Sequence, residues 1–61
     1  MKIEIVRDFD GSYYVNGLSL PEYVSYFTLK QEAKKQGYIL PNVSELSFIK
    51  YGRKSYAHIE I

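Results

Sequence analysis

A chain of 61 residues can form one small domain, and a domain of this size buries only about 60% of the surface that the unfolded chain exposes. The absence of cysteine excludes a disulfide framework and every thiolate metal site, and a single histidine argues against a zinc site. Small domains without these supports often oligomerise, so we expect a homodimer. No apolar run approaches the roughly 18 residues of a membrane span and no signal peptide is visible, so we expect a cytoplasmic protein without a membrane partner.

The charge of the chain is unevenly distributed. Residues 1–27 carry two cations and four carboxylates, a net charge of −2, whereas residues 28–61 carry six cations and three carboxylates, a net charge of +3. The basic charge therefore lies in the second half of the chain. A lysine-rich helix face that contacts only water would produce the same distribution, so the charge alone identifies no partner.

The first predicted element is a β-hairpin formed by residues 2–8 and 12–16. A three-residue loop that ends at Gly11, in the left-handed region, pairs Ile5 with Val15. A two-residue turn would instead divide the apolar side chains between the two faces of the hairpin. Because register must agree with burial, the sequence favours the longer loop.

The segment from residue 17 to residue 27 is ambiguous. Ser19-Leu-Pro-Glu22 has the form of a capping box, with proline in the first turn of a helix. Residues 22–27 are also rich in residues that favour strands, and a third strand is the alternative. We favour the helix, whose apolar stripe would contain Leu20, Tyr23, Val24 and Phe27.

A second helix is predicted from Leu29 to Gln36. Thr28-Leu-Lys-Gln31 matches a second capping box, and Gly37 suits the position just after a helix end. Its apolar stripe is narrow, which leaves most of the helix for solvent or a partner. The stripe of the first predicted helix does not continue into the second, which favours two short helices meeting near Thr28 over one long helix.

The last element is a β-hairpin with Gly52-Arg53 as a two-residue type II′ turn. This register pairs Tyr51 with Lys54, Ile49 with Tyr56, Phe48 with Ala57 and Leu46 with Ile59. It also separates an apolar face from an outer face that carries aromatic side chains. The predicted fold class is therefore α+β: an N-terminal β-hairpin, one or two short helices and a C-terminal β-hairpin, in a winged-helix-like or ββαββ arrangement.

Catalytic chemistry has little support in the sequence. Asp8 and Asp10 flank the turn at Gly11, where we expect them to form the turn and not a catalytic carboxylate pair. His58 alternates to the outer face of its strand, and the four glycines are isolated, so no phosphate-binding loop is present. We expect no enzyme activity, no cofactor, no metal and no small-molecule substrate.

Nucleic-acid recognition has better support. Two short helices followed by a hairpin with a basic tip are the order of elements of a winged-helix module, in which the second helix enters the major groove and the wing contacts the backbone. Gln31 would approach a base edge, and Tyr51 and Tyr56 would stack on the bases of a single strand or pack at an interface. The predicted nucleic-acid-binding residues are Lys30, Gln31, Lys34, Lys35, Lys50, Arg53 and Lys54.

Three segments carry a resemblance to a known family. They are Leu18-Ser-Leu-Pro-Glu-Tyr23, Gln31-Glu-Ala-Lys-Lys-Gln-Gly-Tyr38 and Ile49-Lys-Tyr-Gly-Arg53. Together they resemble the small excisionase-type winged-helix DNA-binding proteins of phages and mobile elements. The resemblance implies an architectural or regulatory DNA-binding protein, although the linker between the helices is shorter here and an N-terminal hairpin is added.

A different set of segments points to a protein partner. Asp10-Gly11, Tyr13-Tyr14 and Gly17-Leu-Ser-Leu20 are similar to segments of the small dimeric phage inhibitors of uracil-DNA glycosylase. That resemblance implies a dimer that captures an apolar loop of a host enzyme between its protomers. The candidate protein-interface residues are Tyr13, Tyr14, Tyr23, Tyr26, Phe27, Tyr51, Tyr56 and His58.

Overall fold

The computed structural model describes all 61 residues as one antiparallel four-stranded sheet and one α-helix. The elements are β1 (Lys2–Arg7), β2 (Tyr13–Asn16), α1 (Tyr26–Lys35), a 3-10 turn (Val43–Glu45), β3 (Ile49–Tyr51) and β4 (Lys54–Glu60). The strand order across the sheet is β2-β1-β4-β3, so the two hairpins meet through their long strands. The predicted α+β class, with a hairpin at each end of the chain, is confirmed, and a single α-helix lies between the hairpins.

The N-terminal hairpin has the predicted register. Ile5 lies opposite Val15, and the N–H of Asp8 donates to the carbonyl of Ser12 at 2.8 Å to close the loop. Gly11 has a φ of +90°, which is the left-handed conformation that the three-residue loop requires. Local turn chemistry and period-two alternation are sufficient to specify this element.

The predicted helix over residues 20–27 is wrong, and so is a full third strand there. Residues 17–25 are irregular apart from a single bridge, in which the N–H groups of Tyr13 and Tyr23 each donate to the other's carbonyl at 2.8 Å. The carboxylate of Glu22, expected to cap a helix, instead lies 2.9 Å from the hydroxyl of Ser12. The edge of β2 supplies this segment with hydrogen bonds that compete with a helical turn.

The helix that does form begins at Tyr26, three residues before its predicted start at Leu29. Ser25 is the N-cap, and its hydroxyl accepts a hydrogen bond from the N–H of Thr28 at 3.3 Å. Thr28 therefore lies inside the first turn instead of before it. The predicted end is confirmed: Gly37 has a φ of +92°, and the N–H of Tyr38 donates to the carbonyl of Ala33 in a Schellman motif.

The prediction of the C-terminal hairpin is correct at its tip, but the hairpin is shorter than predicted. Tyr51 pairs with Lys54 around the turn, and Gly52 has a φ of +67° while Arg53 has a negative φ, as in a type II′ turn. The predicted pairs of Phe48 with Ala57 and of Leu46 with Ile59 are wrong, because β3 begins only at Ile49. The residues before β3 follow the 3-10 turn and pack on the core instead of continuing along β4.

The core lies between α1 and one face of the sheet. Two side chains of α1, Leu29 and Ala33, are fully buried against Ile3, Ile5 and Val15 of the sheet. Leu40 closes the core after the helix, with 2% of its surface exposed. No helix of the fold has the length and apolar character that crossing a membrane requires. The opposite face of the sheet carries no helix, and we call it the open face.

Candidate functional site: the open face of the sheet

Side chains on the open face form rows that run across the strands. Because alternate residues of a strand point to the same face, the registers place Tyr14, Val6, Tyr56 and Ile49 side by side from β2 to β3. We call this set the middle row. Val6 is fully buried, although no helix covers this side, because its neighbours in the row are large. The middle row is therefore an aromatic and aliphatic stripe that crosses the whole sheet.

The β3 end of the middle row is the part most open to a ligand. Ile49 is 70% exposed and Tyr51, the next residue of β3 on the same face, is 80% exposed. A depression of about 260 Å³ lies there, lined by Glu4, Ile49, Tyr51, Tyr56 and His58. The sequence-based prediction that the outer face of this hairpin would carry exposed aromatic side chains is confirmed at Tyr51.

A polar row lies beside the middle row, towards the chain termini. It consists of Asn16, Glu4 and His58 on three neighbouring strands. The Nε2 of His58 lies 2.7 Å from one carboxylate oxygen of Glu4, and the amide of Asn16 donates to the other at 2.9 Å. Both oxygens of Glu4 are therefore occupied, which reduces the repulsion that this carboxylate would exert on an anionic ligand.

Lys54 supplies a fixed cation next to the middle row. Its ammonium donates to the hydroxyl of Tyr14 at 3.1 Å and lies 5.3 Å from the centre of that ring. The hydrogen bond to Tyr14, and then the nearby carboxylate of Asp8, raise the pKa of Lys54 above its usual value. Lys54 therefore carries its charge throughout the physiological pH range.

Both hairpin turns lie at the same end of the sheet, which we call the hairpin end. The guanidinium of Arg53 lies 5.8 Å from the ring of Phe9, which is 71% exposed, and the guanidinium of Arg7 lies 4.5 Å from the ring of Phe48. Sequence reasoning missed Arg7 and Phe9 as candidates. They join Arg53 only because β1 pairs with β4, a contact between distant parts of the chain.

The structure divides the predicted cations between two regions. Lys50, Arg53 and Lys54 belong to the β3–β4 hairpin, whereas Lys34 and Lys35 lie in the last turn of α1. The helix ends beside the chain termini, since one depression is lined by Met1, Gly37, Tyr38, Ile39 and Ile61. The helix lysines and the hairpin cations therefore lie towards opposite ends of the molecule.

Two of the predicted nucleic-acid-binding lysines on the helix, Lys30 and Lys35, pair with polar neighbours. Lys30 donates a hydrogen bond to the side chain of Asn42, and the ammonium of Lys35 lies 2.7 Å from the carboxylate of Glu32. Hydrogen bonding to Glu32 raises the pKa of Lys35. Gln31 and Lys34 are exposed on the outer side of the helix. This arrangement is that of a solvated helix surface with local pairing.

The candidate protein-interface aromatics divide in a similar way. Tyr13 and Tyr26 belong to the interior, with their ring centroids 5.5 Å apart in an edge-to-face contact. The hydroxyl of Tyr26 donates to the carbonyl of Pro41 at 2.6 Å, and burial raises the pKa of Tyr26 to about 12. Tyr23 is half-buried in its bridge with Tyr13, whereas Phe27 is 70% exposed.

Acidic groups meet near the N-terminal loop. The hydroxyl of Ser12, itself buried, lies 2.6 Å from the carboxylate of Asp10 and 2.9 Å from that of Glu22. Hydrogen bonds from the side chain and backbone of Ser12 lower the pKa of Asp10. This contact ties the loop to the segment before α1. No group of three or more histidine, cysteine or acidic side chains is placed to hold a metal ion.

Comparison with known protein families, with curated proteins and with solved structures finds no match for this chain.

Proposed function

We propose that this chain is a small non-enzymatic DNA-binding module and that it holds a single strand on the open face of its sheet. The observation that carries the proposal is the exposure of Tyr51, 80% of whose surface is accessible. Tyr51 lies diagonally across the β3–β4 pair from Tyr56, at a spacing where two side chains can receive neighbouring bases. The function would be architectural or regulatory.

The charges around this surface support an anionic ligand. Arg53 and Lys54 lie at the hairpin end next to Tyr51, whereas Lys50 alternates to the other face of the edge strand β3. Arg53 and Lys54 can contact phosphates while the aromatic rings contact bases, which is the usual arrangement in single-strand binding. Glu4 is the carboxylate that lines the depression beside Tyr51 and Tyr56, and its oxygens are held by His58 and Asn16.

Two features favour a single strand over insertion of a helix into a duplex groove. The chain forms one α-helix, so the two-helix unit that presents a recognition helix is missing. Lys34 and Lys35 also lie at the end of the molecule away from Arg53 and Lys54. In the proposal the hairpin cations contact phosphates, and the helix residues contact no bases.

A direct test compares Tyr51→Ala with Phe27→Ala in binding to a fluorescein-labelled single strand. Stacking of one base is worth about 1–3 kcal/mol, so we expect Tyr51→Ala to raise Kd about tenfold. Phe27 is a matched control because it is also aromatic and 70% exposed but belongs to α1. Its variant should bind within about twofold of wild type. Undetectable binding at low salt, or equal losses in both variants, would refute the proposal.

The salt dependence of binding separates the two groups of cations. Each phosphate contact to a single strand contributes about 0.7 to the slope of log K against log salt concentration. We therefore expect the double variant Arg53→Ala, Lys54→Ala to lower the slope by about 1.4. Lys34→Ala, Lys35→Ala removes the same charge from the helix and should leave the slope unchanged. A slope that falls in the helix variant and is unchanged in the hairpin variant would indicate that DNA binds to the helix.

A second candidate function rests on an apolar patch beside the start of α1. Val24 is 89% exposed and Phe27 is 70% exposed, and Phe27 and Val43 line a depression of about 230 Å³. Such a patch fits a protein partner, such as a host DNA-repair glycosylase that the chain would inhibit as a dimer. Inhibition of uracil-DNA glycosylase that is lost in Phe27→Ala and retained in Tyr51→Ala would favour this function over DNA binding.

A further inference from the structure

The last residues of β4 form an open sheet edge. β3 begins opposite Tyr56, so the part of β4 beyond it has no neighbour on that side. Alternate residues of a strand form backbone hydrogen bonds to the same neighbouring strand. The N–H of Ile61 donates to the carbonyl of Met1, the residue just before β1. The N–H and C=O groups of His58 and Glu60 therefore point away from β1, and none of them makes a backbone hydrogen bond.

The surroundings of this edge can admit another strand. A depression of about 400 Å³ lies there, lined by Lys2, Ile3, His58, Ile59 and Glu60. The chain that precedes β3 does not fill the position, because Phe48 packs towards the core, 6.4 Å from the ring of Tyr13. An added strand could form hydrogen bonds with the two N–H and two C=O groups of His58 and Glu60, which have the spacing of an antiparallel ladder.

We propose that a second copy of this chain pairs with this edge, with the two β4 strands antiparallel about a two-fold axis at Ile59. In that register His58 lies opposite the partner's Glu60, and Glu60 lies opposite the partner's His58. Both pairs are hydrogen-bonded positions, so four backbone hydrogen bonds form. Ile59 lies opposite the partner's Ile59. The two sheets become one continuous sheet of eight strands.

Charge complementarity supports the second copy as the occupant. On the open face, Glu4 already pairs with His58 at 2.7 Å, and Lys2 lies opposite Glu60 on the neighbouring strand. The proposed register extends these pairs into a row with the order Glu4, His58, the partner's Glu60 and the partner's Lys2. Carboxylates alternate with nitrogen donors along this row, which stabilises cross-strand pairing. The two-fold axis generates a second, equivalent row on the other side of Ile59.

The other edges of the sheet are less suitable for self-association. In β3 only Lys50 presents its N–H and C=O outwards, and a two-fold axis there would place two lysine side chains directly opposite each other. On β2, Tyr13 already bonds to Tyr23, which covers that part of the edge. The β4 edge is the one where free backbone groups and complementary side chains coincide.

Sedimentation of the full chain tests the proposal first. We expect a reversible monomer–dimer equilibrium, and we expect Glu60→Lys to raise its dissociation constant about tenfold because the two pairs between His58 and the partner's Glu60 are lost. Glu32→Lys changes the net charge equally, on the helix, and should leave the equilibrium within about twofold of wild type. A monomer at every concentration, or a dimer unaffected by Glu60→Lys, would overturn the pairing.

NMR of the wild-type protein tests the register without relying on a variant. The amides of His58 and Glu60 should exchange more slowly as concentration rises, while the amide of Lys50 should exchange fast at every concentration. In a mixed sample of labelled and unlabelled chains, the Hα atoms of Ile59 and the partner's Ile59 should show a cross-peak, because a non-hydrogen-bonded pair brings the strands closest. A dimer in which the two amides exchange as in the monomer would place the interface elsewhere.

Discussion

The two faces of the sheet differ in what covers their apolar side chains. On the face that packs against α1, which we call the covered face, Ile3, Ile5 and Val15 have at most 4% of their surface exposed. On the open face, Ile49 and Tyr51 are 70% and 80% exposed. Both faces are built from the same strands, so alternation alone does not account for the difference. The covered face explains why the chain folds, and the open face carries side chains that folding leaves free for binding.

A substitution on each face should separate these roles most clearly. Leu29 is fully buried, and we expect Leu29→Ala to lower the free energy of unfolding by about 3 kcal/mol through lost burial and a residual cavity. Tyr51→Ala should lower it by less than about 1 kcal/mol, because the ring is exposed. Urea denaturation measures both values. Equal losses would mean that the open face also stabilises the fold.

Two glycines sharpen the comparison at the level of the backbone. Gly17 has a φ of +109°, and a Cβ there would lie 3.2 Å from the side chain of Ile3, so Gly17→Ala should cost about 2 kcal/mol. Gly52 has a φ of +67° with open space around it, so Gly52→Ala should cost only the conformational strain of about 1 kcal/mol. Thermal unfolding would show a larger loss of Tm at Gly17. The reverse order would contradict the packing described for the covered face.

The smallest expected effect concerns the pH dependence of Tyr26. Its pKa is raised from 10 to about 12 by burial, and next by Glu45, so the neutral hydroxyl stabilises the fold below pH 10. This contribution is lost as the pH rises through about 12. We expect Tyr26→Phe to be less stable than wild type by about 1 kcal/mol at neutral pH, because the bond to Pro41 is missing. The difference should shrink as alkaline pH is approached. A difference that stays constant through pH 12 would show that the pKa of Tyr26 is the same in the folded and unfolded states.

Local signals predicted both hairpin tips and the end of the helix. Turn residues at Gly11 and Gly52, and the stop at Gly37, act over a few positions and need no knowledge of the rest of the chain. The helix expected after Ser19 failed because Glu22 is bonded to Ser12 on the N-terminal hairpin. A capping-box pattern does not report such a competing partner.

The part of the candidate site that lies on the last two strands was predicted, because local alternation specifies it. Alternation along the last strands identified Ile49, Tyr51, Tyr56 and His58 as one face, and the structure places them together. The pairing of β1 with β4 joins the two ends of the chain, and no local pattern encodes it. This contact places Glu4 against His58 and brings the two hairpin turns to one end of the sheet.

An NMR titration of the labelled protein with an unlabelled DNA single strand tests the open face as the binding surface most directly. We expect shifts to concentrate at Ile49, Tyr51, Tyr56 and Lys54, and we expect Gln31 and Lys34 on the helix to stay unchanged. Shifts confined to the helix, or no shifts at low salt, would contradict binding on the open face.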